Sequence, residues 1–357
     1  MQRILILSDD SFSLRKFRQE LIATMRASDM DVILGIPAGE DAAHLEELGC
    51  KLIDIKVDTY PSDGALTARY RQILNAEKPD MVITYGMRPN ICGGISCKKA
   101  KIPHCANIQN PAELTRRGLR SSLLLHRCRK ALKQAKVVFF ENAACAAFFA
   151  DKKLTTASQQ VILSGAGVNL QHHTAQPYPE HDTVRFLYLG RMKKEKGTDE
   201  LLSAIKMLYD DCYEVRLDLV GEPDAAYDEQ IEPLKQMGIV VVHGFQEDPR
   251  PYYAACDCVV MPSHSEGMNN VLLEASATGR PVIASYISGC REAVDEGRTG
   301  LSFRTQDKYA LYEAMRRMAA MTREQREEMG IQARLFMEEA FDRQTVVEDT
   351  LNAIFRP

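Results

Sequence analysis

The stretch Ser265–Val282, SEGMNNVLLEASATGRPV, places two glutamates eight residues apart, Glu266 and Glu274. The run before it, CVVMPS (Cys258–Ser263), is apolar and β-branched and reads as a buried strand. Gly267 marks a turn, and a helix is expected to start near Asn270 with Asn269 or Asn270 as its cap. Gly279 ends that helix and Pro281 opens the next strand. One carboxylate therefore belongs to a loop and the other to the first turns of a helix, beside an end that favours anions. Strand, loop and helix in this order form the unit of a parallel α/β sheet, whose ligands bind at the carboxyl ends of the strands.

That placement suggests what the segment binds. Backbone N–H groups of Asn269, Asn270 and Val271 are expected to be free at the helix start, a seat for a diphosphate. A carboxylate does not hold phosphate, but it accepts hydrogen bonds from hydroxyls. Glu274 is placed for the vicinal hydroxyls of a ribose, and Glu266 for hydroxyls of a sugar beyond the phosphates. Upstream, GRMKKEKG (Gly190–Gly197) supplies Arg191 and Lys196 after another strand. A guanidinium fork and a point-charge ammonium suit a diphosphate leaving group. Gly190 and Gly197 permit close backbone approach, while Lys193 and Lys194 read as solvated.

Outward from this segment, strand and helix signals alternate twice. RILILS, DVILGIP, KLIDIKV, DMVITYG, IPHCANI and KVVFFEN are strands of a first alternation. QQVILSGAGVNLQHHTAQPYPEHDT then loses periodicity, and a second alternation runs from VRFLYLGRM through TGLSF, with SGCREAVDEG read as a helix. Lys308–Met321, Arg323–Glu339 and Asp342–Phe355 are closing helices. At 357 residues the chain suits two domains. The expectation is α/β: two doubly wound Rossmann-like domains facing a central cleft. Residues 1–170 would face acceptor or membrane, 171–183 would link, 184–340 would bind the nucleotide, and 341–357 would pack back on the first domain.

Composition narrows the class. Hydrophobic residues are 45% and charged residues 26%, an ordinary soluble balance, and no apolar run is long enough to span a bilayer. MQRILILSDDSF lacks the pattern of a signal peptide, and the ten cysteines include no C-x-x-C pair, so a reduced cytoplasmic setting is expected. Between Arg88 and Lys136 stand twelve basic residues against one acid, Glu113. So one-sided a run is expected to meet phosphate or an anionic membrane surface, with peripheral attachment; nucleic acid is not an expected partner. Two motif matches are set aside. Asp29–Asp31, DMD, falls at the amino end of a strand, and GAGVNL (Gly165–Leu170) lacks the third glycine of a dinucleotide fingerprint.

Glu266-x7-Glu274, GRMKKEKG and ATGRPVIASYISGCREAVDEGRTGLSF together resemble the family-4 retaining glycosyltransferases of the GT-B fold. FLYLGR, PSHSEGMNNVLLE and TYGMRPNICGG further resemble bacterial enzymes that build capsule, O-antigen or exopolysaccharide repeats on a polyprenyl-diphosphate carrier. The resemblance implies that Glu274 binds ribose and that Glu266, with Gly267, Met268, Asn269 and Asn270, binds the donor sugar. It implies that Arg191 and Lys196 neutralise the departing diphosphate, with no metal and no cofactor. The expected reaction moves a sugar from a nucleoside diphosphate, here UDP, to a lipid-linked saccharide. Ser13, Arg18, Arg88, Asn110, Arg116, Arg117 and Arg120 are the acceptor or membrane-facing candidates. The first loop, SDDSFSLRKF, has no glycine, and CANIQNPAEL holds no histidine after His104, so no catalytic histidine is assigned. Two other readings share the features: a non-hydrolysing UDP-sugar epimerase, and a catalytically silent sugar-nucleotide-binding partner.

Overall fold

The computed structural model describes residues 2–109, 114, 118–222 and 224–356. The chain divides into two compact units, Met1–Ala166 with Gln344–Pro357, and Gly167–Arg343.

In the first unit seven strands form one sheet: β1 (Arg3–Ser8), β2 (Asp31–Ile36), β3 (Lys51–Asp54), β4 (Met81–Tyr85), β5 (His104–Ile108), β6 (Val137–Phe140) and β7 (Gln160–Ile162). Their order is β3-β2-β1-β4-β5-β6-β7, and every pairing is parallel. β4 and β5 are buried along their whole length, as a parallel sheet covered on both faces requires, and the polar side chains they carry are paired inside, Thr84 with Asn90 and His104. The order reverses between β1 and β4, and a sheet of this topology opens a crevice there. Strand β7 lies in the stretch read from the sequence as aperiodic. Its three residues are too few to show a period, and pairing with β6 makes it an edge strand.

The second unit repeats the plan with β8 (Val184–Leu189), β9 (Val215–Val220), β10 (Val240–Gly244), β11 (Cys258–Met261), β12 (Val282–Ser285) and β13 (Gly300–Phe303). Their order is β10-β9-β8-β11-β12-β13, again parallel, with the reversal between β8 and β11. Phe186, Leu187, Leu217, Leu219, Val259, Val260 and Ile283 are fully buried in its core. Each such side chain contributes about 1.5–3 kcal/mol relative to exposure. SGCREAVDEG, expected to be a helix, forms a single tight turn at Arg291–Ala293. Gly297, with φ +76°, reverses the chain before another helical turn is made.

Two devices fasten the ends of the second unit. Arg280 is fully buried, yet its guanidinium donates to the carbonyls of Gln176 (3.2 Å), Pro177 (2.7 Å), Tyr253 (3.0 Å) and Ala254 (2.8 Å). The segment that reads as a linker is thereby pinned to this unit, and the Tyr178 hydroxyl adds a bond to the Asp257 carbonyl at 2.7 Å. The last helix, Arg343–Phe355, places Val346, Val347, Ala353 and Ile354 in the first unit's core beside Ile4, Leu21 and Val32.

Candidate active site

The GRMKKEKG loop leaves β8 where the sheet order reverses. Gly190, at φ +155°, donates its N–H to the Val220 carbonyl at 2.8 Å. The Tyr188 hydroxyl donates to the Arg191 carbonyl at 2.8 Å, which turns the loop back while the Arg191 side chain stays exposed. Lys194–Lys196 forms one tight turn closed by Gly197 at φ +76°. A Cβ on Gly197 would lie 2.2 Å from the Pro262 carbonyl oxygen, so only glycine lets this turn press against the end of β11. The His264 N–H donates to the Glu195 carbonyl at 2.9 Å, and the His264 ring pairs with Glu200 at 3.1 Å. The result brings together two residues that stand 70 apart in sequence: Lys196 Nζ lies 2.7 Å from Glu266 Oε1.

The loop after β11 is held from the other side. Gly289, at φ +88°, packs so closely that a Cβ would sit 1.8 Å from the Gly267 carbonyl oxygen. The Asn269 N–H donates to the Gly289 carbonyl at 2.9 Å. This corrects the expectation of a free donor at Asn269, because a loop distant in sequence takes it. Asn269 is instead the cap: its side chain accepts from the Leu272 N–H at 3.2 Å and starts the helix Asn270–Ala277. Asn270 and Val271 occupy the first two helical positions, whose N–H groups have no acceptor within a helix. Met268 is buried in the core. Glu274, only 3% exposed, receives a hydrogen bond from the Tyr253 hydroxyl at 2.9 Å. One cation–carboxylate pair, one helix N-terminus and one buried carboxylate thus share the strand ends of β8 and β11.

At the corresponding reversal in the first unit lies a cavity of about 90 Å³ lined by Asp9, Ser13, Arg18, Tyr85, Gly86 and Gln109, among others. Two of the acceptor-side candidates, Ser13 and Arg18, meet there. Asp10 caps the first helix and accepts from the Ser13 N–H at 3.2 Å, and the Ser13 hydroxyl also donates to it. Arg18 is 7% exposed, lies over the Tyr85 ring at 5.4 Å and reaches Glu141 at 3.5 Å. Burial lifts the Asp9 carboxyl to about 6, the neighbouring Asp10 adding to the effect. Gly86, at φ +94°, makes room for that carboxylate, since a Cβ there would lie 2.1 Å from Asp9 Oδ1. Sequence reasoning passed over Asp9, Tyr85 and Gln109. Their signal was position alone, each standing just at or after the carboxyl end of β1, β4 or β5.

Other candidates separate from this group. Arg88 stands apart from that cavity: it donates to Asp63 at 3.0 Å and to the carbonyls of Val57 (2.7 Å) and Tyr60 (3.2 Å). It closes the Val57–Asp63 segment instead, with Arg127 on the same carboxylate. Arg120 is exposed on the helix Leu119–Leu132. Asn110, Arg116 and Arg117 lie outside the described residues. His104 is buried at the start of β5, bonded to Thr84 at 2.9 Å, and burial lowers its pKa to about 4.

With this geometry in view, residues 183–321 match the family model of glycosyl transferases group 1. The match covers most of the second unit and none of the first. Among curated relatives, the capsular polysaccharide biosynthesis glycosyltransferase CapM of Staphylococcus aureus is 32% identical over 165 residues, 45% of this chain and 43% of CapM. A D-inositol 3-phosphate glycosyltransferase of Streptomyces avermitilis is 34% identical over 151 residues, 39% of this chain and 32% of that protein. Each match spans less than half the length of the relative. HepE of Anabaena, solved with UDP and glucose, superposes with a TM-score of 0.80 at 18% identity over 99% of both chains. A glycosyltransferase of Rickettsia africae gives 0.82 at 16% identity over 99% of this chain and 97% of its own. The fold is GT-B, with both Rossmann-like units present.

Proposed function

We propose that this group 1 glycosyltransferase chain moves a sugar from UDP to a saccharide carried on a polyprenyl diphosphate, with retention at the anomeric carbon. The observation that carries the reading is the Lys196–Glu266 contact of 2.7 Å at the β8/β11 reversal, beside the Asn270–Ala277 helix start. Arg191, Lys196 and the N–H groups of Asn270 and Val271 meet the donor diphosphate, whose negative charge grows as the glycosidic bond breaks. Lys196 then exchanges Glu266 for phosphate, leaving Glu266 to accept hydroxyls of the sugar. Glu274 accepts the ribose hydroxyls, and Gly190 and Gly267 allow the chain to approach the nucleotide. Since cations and a helix end already offset the charge, transfer proceeds without an added divalent ion.

The acceptor hydroxyl attacks from the face the diphosphate leaves, and a phosphate oxygen takes its proton. Ser13, Arg18 and Asp9 of the first unit are assigned to the acceptor saccharide. The exposed basic side of Leu119–Leu132, with Arg120, Lys130 and Leu123 (61% exposed), is assigned to an anionic membrane surface. Among the described residues no helix is long and apolar enough to cross a membrane.

The test is UDP release from UDP-sugars with and without synthetic polyprenyl-diphosphate monosaccharides, in EDTA, with NMR of the product's anomeric coupling. Release that depends on acceptor, with retained configuration, supports the reading. Conversion of the UDP-sugar to its epimer without acceptor would replace it with the epimerase reading.

A further inference from the structure

We infer that Tyr253 is a positioning residue for the donor nucleotide: its phenol holds the Glu274 carboxylate in the orientation that receives ribose hydroxyls. This rests on the reading of Glu274 given above and names the residue through which that carboxylate acts.

Tyr253 lies in the short helix Arg250–Ala255 and is fully buried. Its hydroxyl donates to Glu274 Oε2 at 2.9 Å, across to the helix that follows β11. The ring itself is fixed. His173 meets it edge-on at 6.1 Å, and its backbone carbonyl accepts from Arg280 Nε at 3.0 Å and from Cys256 Sγ at 3.4 Å. Burial beside a carboxylate raises the phenol pKa well above its ordinary value, so the hydroxyl stays a donor throughout the working pH range.

Energetics separate a structural from a functional purpose. A buried hydroxyl–carboxylate pair contributes little over an apolar pair of the same shape, because both partners lose hydration. What the pair supplies is direction. A glutamate has three rotatable bonds, and a bond to one oxygen from a fixed ring selects which lone pairs of the carboxylate face outward. Ribose hydroxyls, two donors at a set spacing, need that selection; a phosphate or a base does not. Tyr253 therefore belongs to the discrimination of ribose, with no contact to the nucleotide.

The experiment measures Kd by calorimetry for UDP and for 2′,3′-dideoxyuridine diphosphate, in the full chain and in Tyr253→Phe. The parent is expected to prefer UDP. Tyr253→Phe is expected to weaken UDP about tenfold and the dideoxy analogue less than about twofold. Equal weakening of both ligands would overturn the inference and leave Tyr253 a packing residue. Cys256→Ala loosens the same helix end with the phenol in place; it is expected to lower Tm and keep the preference, and a lost preference there would also overturn it. A parent that binds neither ligand removes the donor site itself, and one that binds both equally removes ribose from Glu274. Those two outcomes are thus distinct from failure of Tyr253 alone.

Discussion

At the scale of single residues, Lys196 and Glu266 neutralise each other, and in the proposed reaction phosphate takes the place of the carboxylate at the ammonium. Lys196→Ala is expected to lower kcat/KM about 10²–10³-fold, with UDP-sugar turnover as the readout. Lys196→Arg keeps the charge but misplaces a planar fork, and is expected to recover only part of the loss. Asp9 offers a prediction of opposite sign. Its folded pKa of about 6 lies above the ordinary 3.8, so the protonated form's contribution to stability is full below 3.8 and is lost as pH rises through about 6. Asp9→Asn is therefore expected to stabilise the protein at neutral pH by about 1–3 kcal/mol, and by less as pH approaches 4. Thermal melts at several pH values read this directly. No gain at neutral pH would show that the carboxyl is not held against its preference. The paired glutamates were legible because an eight-residue spacing across a turn and a capped helix is local information. The Asn269 N–H was misread, and the partners of Arg88 were not legible, because Gly289 and Asp63 arrive from other parts of the chain.

At the scale of elements, the candidate donor site is held by loops that press together at Gly197 and Gly289. Gly289→Ala places a methyl 1.8 Å from the Gly267 oxygen at φ +88°, whereas Gly238→Ala, at φ +77°, meets nothing within 4 Å. The second is expected to cost only the left-handed backbone term, about 1–2 kcal/mol. Gly289→Ala is expected to cost more than that and to weaken nucleotide binding, since the Gly267–Asn269 loop must move. Equal Tm changes in the two variants would contradict the packing argument. Most of the alternation of strands and helices was readable, because apolar runs bounded by glycine, proline and capping residues are intrinsic to the sequence. Strand β7 and the Arg291–Ala293 turn were not, being decided by an edge partner and by a positive-φ glycine.

At the scale of the whole molecule, two units of the same construction each place polar side chains at the reversal of their strand order. The first unit gathers a buried arginine, a serine and a carboxyl; the second gathers cations, a helix end and two glutamates. The fold class followed from the doubled alternation, while the polar group at the first unit's reversal required β1, β4 and β5 to be seen side by side. The basic Leu119–Leu132 helix carries a prediction at this scale. Replacing Arg120 and Lys130 on this helix, and the exposed Lys133 just past its end, by glutamate is expected to abolish flotation with vesicles containing anionic lipid, and to leave UDP binding unchanged. Undiminished flotation would contradict the assignment of this face to a membrane surface.

Donor binding at Glu274 is read by the thermal unfolding of the parent and of Glu274→Ala with UDP in EDTA. A ligand held by the folded state alone raises Tm by mass action. A rise of several degrees is expected for the parent at millimolar UDP, and little or none for Glu274→Ala at the same concentration. An unmoved parent Tm, or an equal rise in both proteins, would contradict it.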